Sequence, residues 1–500
     1  MTPTFAAAPA GHWRTVTTNA SDANRWKAMS VALVAGFMTL LDVSIVNVAL
    51  PSIRADLDLS PGGLQWVLSG YALTFGLLLV PAGRFGDARG RRSVFIAGLA
   101  VFTLSSAAAG LATSALWLIV ARLVQGAAAG VVNPQVSGLI QQLFRPAERG
   151  RPFGLLGATI GISTAVGPLL GGLLIQVFGA ESGWRWIFFI NVPIGAAAIL
   201  LGAKWLPARR EDQRERESLD PVGVALLGLG VLLVLLPLVQ ERAWPGPGKW
   251  LLLVAGLAVL AGFLAWERRH ARHATPLIEL HLFRVRSYGL GALIGLLYFA
   301  GFTTLFFIYT LYLQNGLRYS ALLAGLAITP FALGSAGAAA LGGRIVNRYG
   351  RPLVAVGLAL VAVGLAGTVL ALQLVPGSGG GWAAALPLLV AGLGSGLVIS
   401  PNQTLTLAEV PVERAGSAGA VLQTGQRIGT AVGIAVVGAV FFNRLAASGN
   451  DWGSALRTAL LVTIGLVVVA LAAALSDVVS DRRASRRAGE VADREPERVG

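Results

Sequence analysis

The sequence predicts an all-α polytopic membrane protein of fourteen transmembrane helices, built as two six-helix halves with two extra central helices. Three observations lead there. Hydrophobic residues make up 55% of the chain and charged ones only 13%, with a mean hydropathy of +0.70; a soluble domain carries about 25% charged residues. Apolar runs recur that are long enough to cross a hydrocarbon core, which takes about 20 residues. A loop pattern in the first half returns 260 residues later without a gap.

Taken in order, the runs lie near 29–50, 65–83, 94–113, 115–137, 153–177, 185–204, 221–240, 250–267, 287–313, 320–342, 353–374, 382–403, 416–441 and 456–477. An even number puts both termini on one side. With the N-terminus in the cytoplasm, the inside loops carry Arg84, Arg89, Arg91 and Arg92, then Arg145, Arg149 and Arg151. Lys204, Arg209, Arg210, Arg214 and Arg216 follow, then Arg268, Arg269, Arg272, Arg284 and Arg286. Arg344, Arg348, Arg351 and a basic tail from Arg482 complete the inside set. Roughly 30 of the 39 Lys and Arg fall inside and roughly 6 outside, the bias that orients a membrane chain. Arg122, Arg185 and Arg427 remain, within or at the edge of spans. The net charge of +15 thus reflects orientation in a cell membrane, and no nucleic-acid partner is expected.

The expected divisions are a cytoplasmic tail (1–28), a six-helix half (29–204) and a linker holding the two extra helices (205–286). A second six-helix half (287–478) and a disordered cytoplasmic tail (479–500) follow. The first 28 residues lack the short apolar core of a signal peptide, so the first span is expected to direct insertion. There is no cysteine, which removes disulfides and thiol chemistry. The four His residues offer no metal spacing, no nucleophile–base pair emerges, and no phosphate-binding GxxxxGK[ST] loop is present. Neither an enzyme, a cofactor, a metal site nor ATP drive through its own domains is expected.

The first span carries the most costly residue. Asp42 stands in the middle of Phe37–Pro51, about 21 Å along a helix beginning near Ala28. A charged Asp at that depth costs roughly 2.5–3.5 kcal/mol on insertion scales. Span four holds Arg122, with Gln125 and Gly126 on neighbouring positions of its face. The equivalent span of the second half, 382–403, has no ionisable residue, so charge handling belongs to the first half. In the loop Gly83-Arg84-Phe-Gly-Asp87-Ala-Arg-Gly90-Arg91-Arg92, the glycines allow a tight turn and Asp87 is placed to cap the third span. Its second copy is Gly343-Arg344-Ile-Val-Asn347-Arg-Tyr-Gly350-Arg351-Pro352. Parallel repeats of this sort place a cavity between the halves. In span five, Gly154, Gly157 and Gly161 share a face, followed by Gly167, Pro168, Gly171 and Gly172. Gln423, Gln426 and Arg427 in span thirteen either line the cavity or tie helices together.

These residues resemble the major facilitator superfamily, and in particular its fourteen-span drug:proton antiporter branch. The resemblance rests on the Gly83–Arg92 loop, Leu41-Asp42-Val-Ser-Ile-Val-Asn47-Val-Ala-Leu-Pro51, and Arg122-Leu-Val-Gln125-Gly126. It rests further on Gly167-Pro168-Leu-Leu-Gly171-Gly172 and Trp184-Arg185-Trp186-Ile-Phe-Phe-Ile-Asn191-Val-Pro193. It covers roughly residues 28–478. Departures are Ala88 and Ser163 in place of a basic residue and a glycine, and Asn347 in place of the repeat's acid. The resemblance implies proton coupling through Asp42 and Arg122, and a substrate cavity with Asn47, Gln125, Gln423, Gln426 and Arg427. It implies a conformational latch at Gly83, Asp87, Gly90, Arg91 and Arg92. The element Gly167, Pro168, Gly171 and Gly172 would mark an exporter and form a pliant interface between the halves.

The function so implied is export of small amphipathic compounds in exchange for protons, by alternating access. The partners are then the bilayer, protons and a small-molecule substrate, with accessory envelope proteins left unassigned. Without a second deep acid, monovalent cationic or neutral lipophilic substrates are expected rather than dications. The alternatives are an exporter dedicated to one metabolite, a proton-linked importer and, from another class, a membrane sensor or scaffold.

Overall fold

The computed structural model describes residues 22–179, 181–208, 220–239, 244, 246–274 and 276–494. Fourteen helices among them are long and apolar enough to cross a membrane. In the first half these are α1 (Asp22–Asp56), α2 (Gly62–Arg89), α3 (Arg91–Gly110), α4 (Ala115–Leu143), α5 (Pro146–Phe178) and α6 (Gly183–Trp205). The extra pair is α7 (Pro221–Leu238) and α8 (Lys249–His270). The second half holds α9 (Arg286–Gly316), α10 (Leu322–Tyr349), α11 (Arg351–Leu374), α12 (Ala385–Thr406), α13 (Val412–Ala447) and α14 (Trp452–Val479). An apolar solvent offers backbone groups no partners, so each segment must close its own hydrogen bonds as a helix.

The ends differ from the apolar runs. Asp22–Ala28, expected in a tail, belong to the first helix, because polar residues continue a helix readily once it leaves the hydrocarbon. The last helix likewise runs on from Trp452 to Arg494, past the expected boundary at 479. That stretch is charged but rich in Ala and Arg, both good helix formers. Residues 1–21 and 495–500 of the two expected tails lie outside the described residues. So do Arg209, Arg210, Arg214 and Arg216 of the inside loops.

The repeat reaches beyond its loop. Ser60 caps α2 by accepting from the Gly63 amide at 3.1 Å, and Ser320, 260 residues on, accepts from Leu323 at 3.2 Å. Gly90 and Gly350 turn the chain at φ of 102° and 58°, a region that L side chains rarely adopt. In the first half the α4 glycines Gly126 and Gly130 press on the carbonyls of Tyr71 and Phe75. In the second, Gly392 and Gly396 press on those of Phe331 and Ser335, 260 residues on from Tyr71 and Phe75. Each half thus docks its second and fourth helices backbone to backbone.

The halves meet through α5 against α10 and α2 against α13. The extra pair packs on itself, with Gly230 against Leu260 and Gly256 against Val234. At its base Asp220 caps α7 at Gly223, and Trp266 donates to the same carboxylate at 2.8 Å. Glu267 accepts the amides of Leu277 and Ile278, which stitches α8 to the segment entering α9.

Candidate functional site

Asp42 lies inside the first half, with none of its surface exposed. Its Oδ2 accepts from Arg122 of α4 at 2.5 Å. Its Oδ1 accepts from Gln125 at 2.9 Å and from Asn191 of α6 at 3.0 Å. Arg122 is 1% exposed and also donates to the Gln125 side chain at 2.7 Å and the Val67 carbonyl at 3.2 Å. Its guanidinium stands 4.2 Å from the Tyr71 ring centroid and 5.7 Å from that of Phe188. A carboxylate stripped of water needs this: one paired cation and further donors on its remaining lone pairs. Among the described residues the other buried acids, Asp87, Asp220, Glu267 and Asp477, sit at the ends of the membrane spans.

Two members of this cluster differ from expectation. Gln125, expected on the cavity wall, is fully buried; this is a correction. It stands three residues beyond Arg122, so one helical face carries both, and that face turns inward to Asp42. Asn191 was quoted only as part of a motif, yet it bridges Asp42 and Ser106, donating to both at 3.0 Å. Its Oδ1 has no hydrogen-bond partner among the described residues. A polar side chain alone in an apolar span was the available signal. Asn47 is exposed on α1, bonded only to the Val43 carbonyl at 3.2 Å, and does not join the cluster.

The loop after α2 joins the two halves. Asp87 does not cap α3, as expected; it lies in the last turn of α2, and Gly90 turns the chain between them. Its carboxylate caps a helix of the other half, accepting the amides of Gly416 and Ser417 at 3.1 and 2.8 Å. First-turn amides have no partner within their own helix and face a negative charge favourably. Arg91 pairs with Asp87 at 2.8 Å and donates to the Val412 carbonyl at 2.5 Å. Arg92 stays within the first half, on the Ala203 carbonyl. Gly83 touches Gly416 and Ala420, leaving no room for a side chain. In the pseudo-equivalent position Asn347 donates to the Ala147 carbonyl at 2.5 Å, and the acid that pairs with Arg351 comes from Asp477 of α14 at 2.9 Å. Asp87→Ala removes an acceptor from two amides and a guanidinium. It is expected to weaken the joined state by roughly 1–3 kcal/mol. Distances between spin labels at the exposed Arg89 and Arg348 positions will lengthen in the variant; an unchanged distribution would show that Asp87 does not hold the halves.

The glycine element of α5 divides in two. Gly167 and Gly171 pack on Ser44 and Ile45 of α1, within the first half, and Gly172 meets nothing within 4 Å. Pro168 and Leu169 of that element approach the other half, at Gly325. The helix contact between halves is made instead by Gly150, Gly154, Gly157 and Gly161, against Gly343, Ala339, Ser400 and Ala336. Gln423 ties the halves by donating to Ser137 of α4 at 3.2 Å. Gln426 is half-buried opposite Gly295 of α9, and half-buried Arg427 stacks on Phe75.

Two repeated six-helix halves, with a buried ion pair in one and joined ends between them, define a polytopic membrane transporter. This chain belongs to the Major Facilitator Superfamily, whose profile matches residues 32–434. It is 38% identical over 449 residues to the probable actinorhodin transporter of Streptomyces coelicolor, spanning 88% of this chain and 77% of that protein. It is 32% identical over 422 residues to the tetracenomycin C resistance and export protein of Streptomyces glaucescens, spanning 84% and 76%. The solved structure of the proton:xylose symporter XylE superposes with a TM-score of 0.63 at 16% identity, over 90% of this chain and 94% of that one. That last likeness bears on the fold alone.

Proposed function

We propose that the chain is a proton-coupled antiporter that exports small amphipathic or lipophilic compounds by alternating access. Its basic face and both termini would lie in the cytoplasm. The observation that carries this reading is the Asp42–Arg122 pair, wholly buried between α1 and α4. Relatives named for transport of one antibiotic and for resistance to and export of another favour the outward direction.

In the mechanism, the carboxylate of Asp42 holds Arg122, Gln125 and Asn191. A proton arriving from outside neutralises Asp42 and leaves the guanidinium without its counter-charge, which favours a second packing of α1, α4 and α6. Release inside restores the carboxylate and its three donors. The joined ends at Asp87, Arg91 and Gly416 are the shut cytoplasmic gate of one state, and opening it completes the exchange.

The test uses proteoliposomes with an inside-acid gradient, a panel of amphipathic dyes and a trapped pH indicator. Wild type is expected to couple dye movement to proton flux, and Asp42→Asn to abolish that flux. Normal coupling in Asp42→Asn would remove Asp42 from the proton path. A drug-susceptibility profile of cells with and without the gene separates broad export from a dedicated metabolite.

A further inference from the structure

One cation inside the bundle is unaccounted for by proton coupling. Arg427 of α13 is half-buried, and its guanidinium lies 4.2 Å from the ring centroid of Phe75 on α2, across the boundary between halves. Among the described residues it has neither an ion pair nor a hydrogen bond, only this ring contact. Phe75 stacks on Tyr71, one turn earlier on α2, with centroids 6.1 Å apart. Tyr71 in turn carries Arg122 at 4.2 Å. A run of guanidinium, two rings and guanidinium therefore links the second half to the Asp42 pair.

The charge at this depth decides what can bind. Asp42 is spent on Arg122 and has no exposed surface, and the other buried acids among the described residues lie at the ends of the membrane spans. The region between the halves therefore carries net positive charge. An entering cation would meet Arg427 in a low dielectric with no acid to offset it, and like charges repel strongly there. An anion would instead meet a guanidinium whose donors make no other hydrogen bond, in the planar fork that suits two-point pairing.

Resting on the export reading above, we propose that Arg427 is an anion-recognising group of the substrate site, and that the transported compounds are aromatic amphipathic monoanions. This inverts the cationic or neutral preference expected from the sequence.

The test uses three probes sharing one fluorophore: dansylglycine (anionic), dansylamide (neutral) and dansylaminoethyl-trimethylammonium (cationic). Each is titrated by fluorescence into the purified full chain in nanodiscs. Dansylglycine is expected to bind at least about tenfold more tightly than the ammonium probe, the scale of one charge-assisted hydrogen bond. Arg427→Gln should lose that preference by a similar factor while binding dansylamide as before, and Arg427→Lys should keep most of it. Wild type favouring the ammonium probe, or Arg427→Gln unchanged toward dansylglycine, overturns the proposal. The wild-type preference depends on no variant folding. Proteoliposomes separate the two readings: carriage of the ammonium probe but not dansylglycine leaves export standing and removes the anion site. Carriage of none of the three removes the export reading, and the anion site with it.

Discussion

Arg122→Ala is expected to destabilise the protein by about 3–5 kcal/mol, the cost of leaving one buried charge without its partner. The double variant Arg122→Ala with Asp42→Leu is expected to recover most of that loss. The asymmetry follows from the geometry. Among the described residues Arg122 supplies the only cation paired with Asp42, at 2.5 Å, while Gln125 and Asn191 contribute neutral donors. With Arg122 gone, two amides cannot offset a carboxylate at the middle of a bilayer. The single variant should therefore lose both melting temperature and substrate-linked proton flux. The double variant should regain the melting temperature and stay uncoupled. The measurement is a thermal melt in detergent beside the proteoliposome assay. Additive losses in the double variant would mean that the pair is not the unit argued here. A normal flux in Arg122→Ala would reduce that residue to a packing role.

How far the sequence reveals this site depends on how each residue announces itself. Asp42 and Arg122 are legible because an isolated charge in an apolar run has no cheap explanation, and opposite charges buried in spans one and four invite pairing. Gln125 shares the face of Arg122 on simple helical spacing, but spacing does not say whether that face turns to a cavity or to a carboxylate. Asn191 lies 149 residues from Asp42, and nothing local marks it as its donor. Asp87 shows the same limit at longer range. Its position beside α3 suggested a local cap, whereas its partners lie 329 and 330 residues away on α13. The glycines of α5 were visible as a small-residue face, yet two sets of them face two different neighbours. Arg351 is a further case: its repeat partner is an Asn, and the acid that replaces it stands at Asp477, more than a hundred residues on. The overall fold was more legible, since hydropathy, loop charge and the 260-residue offset each report on the whole chain.

Gly343→Leu is expected to reduce transport by roughly 5–150-fold, the effect of a 1–3 kcal/mol bias on a two-state equilibrium. In this structure the α-carbon and backbone nitrogen of Gly154 and the carbonyl of Gly150 leave no space for even a methyl group at position 343. A Leu side chain would therefore have to push α5 and α10 apart at the basic face, where Asp87 and Arg91 also join the halves. The cost falls on the joined state alone. Overpacking of this kind costs about 1–3 kcal/mol where backbone must shift. The protein would still fold, because the state with parted ends does not need this contact. Spin-label distances across the basic face will report the longer population in Gly343→Leu, and substrate should still bind from that face. Gly172→Leu is the matched control: it lies in the element expected to mark an exporter, but a β-carbon there meets nothing within 4 Å. Transport close to wild type is expected for it. If Gly343→Leu transports normally, or if Gly172→Leu is the more damaging of the two, the approach of Gly150 and Gly154 to Gly343 is not the contact on which closure turns.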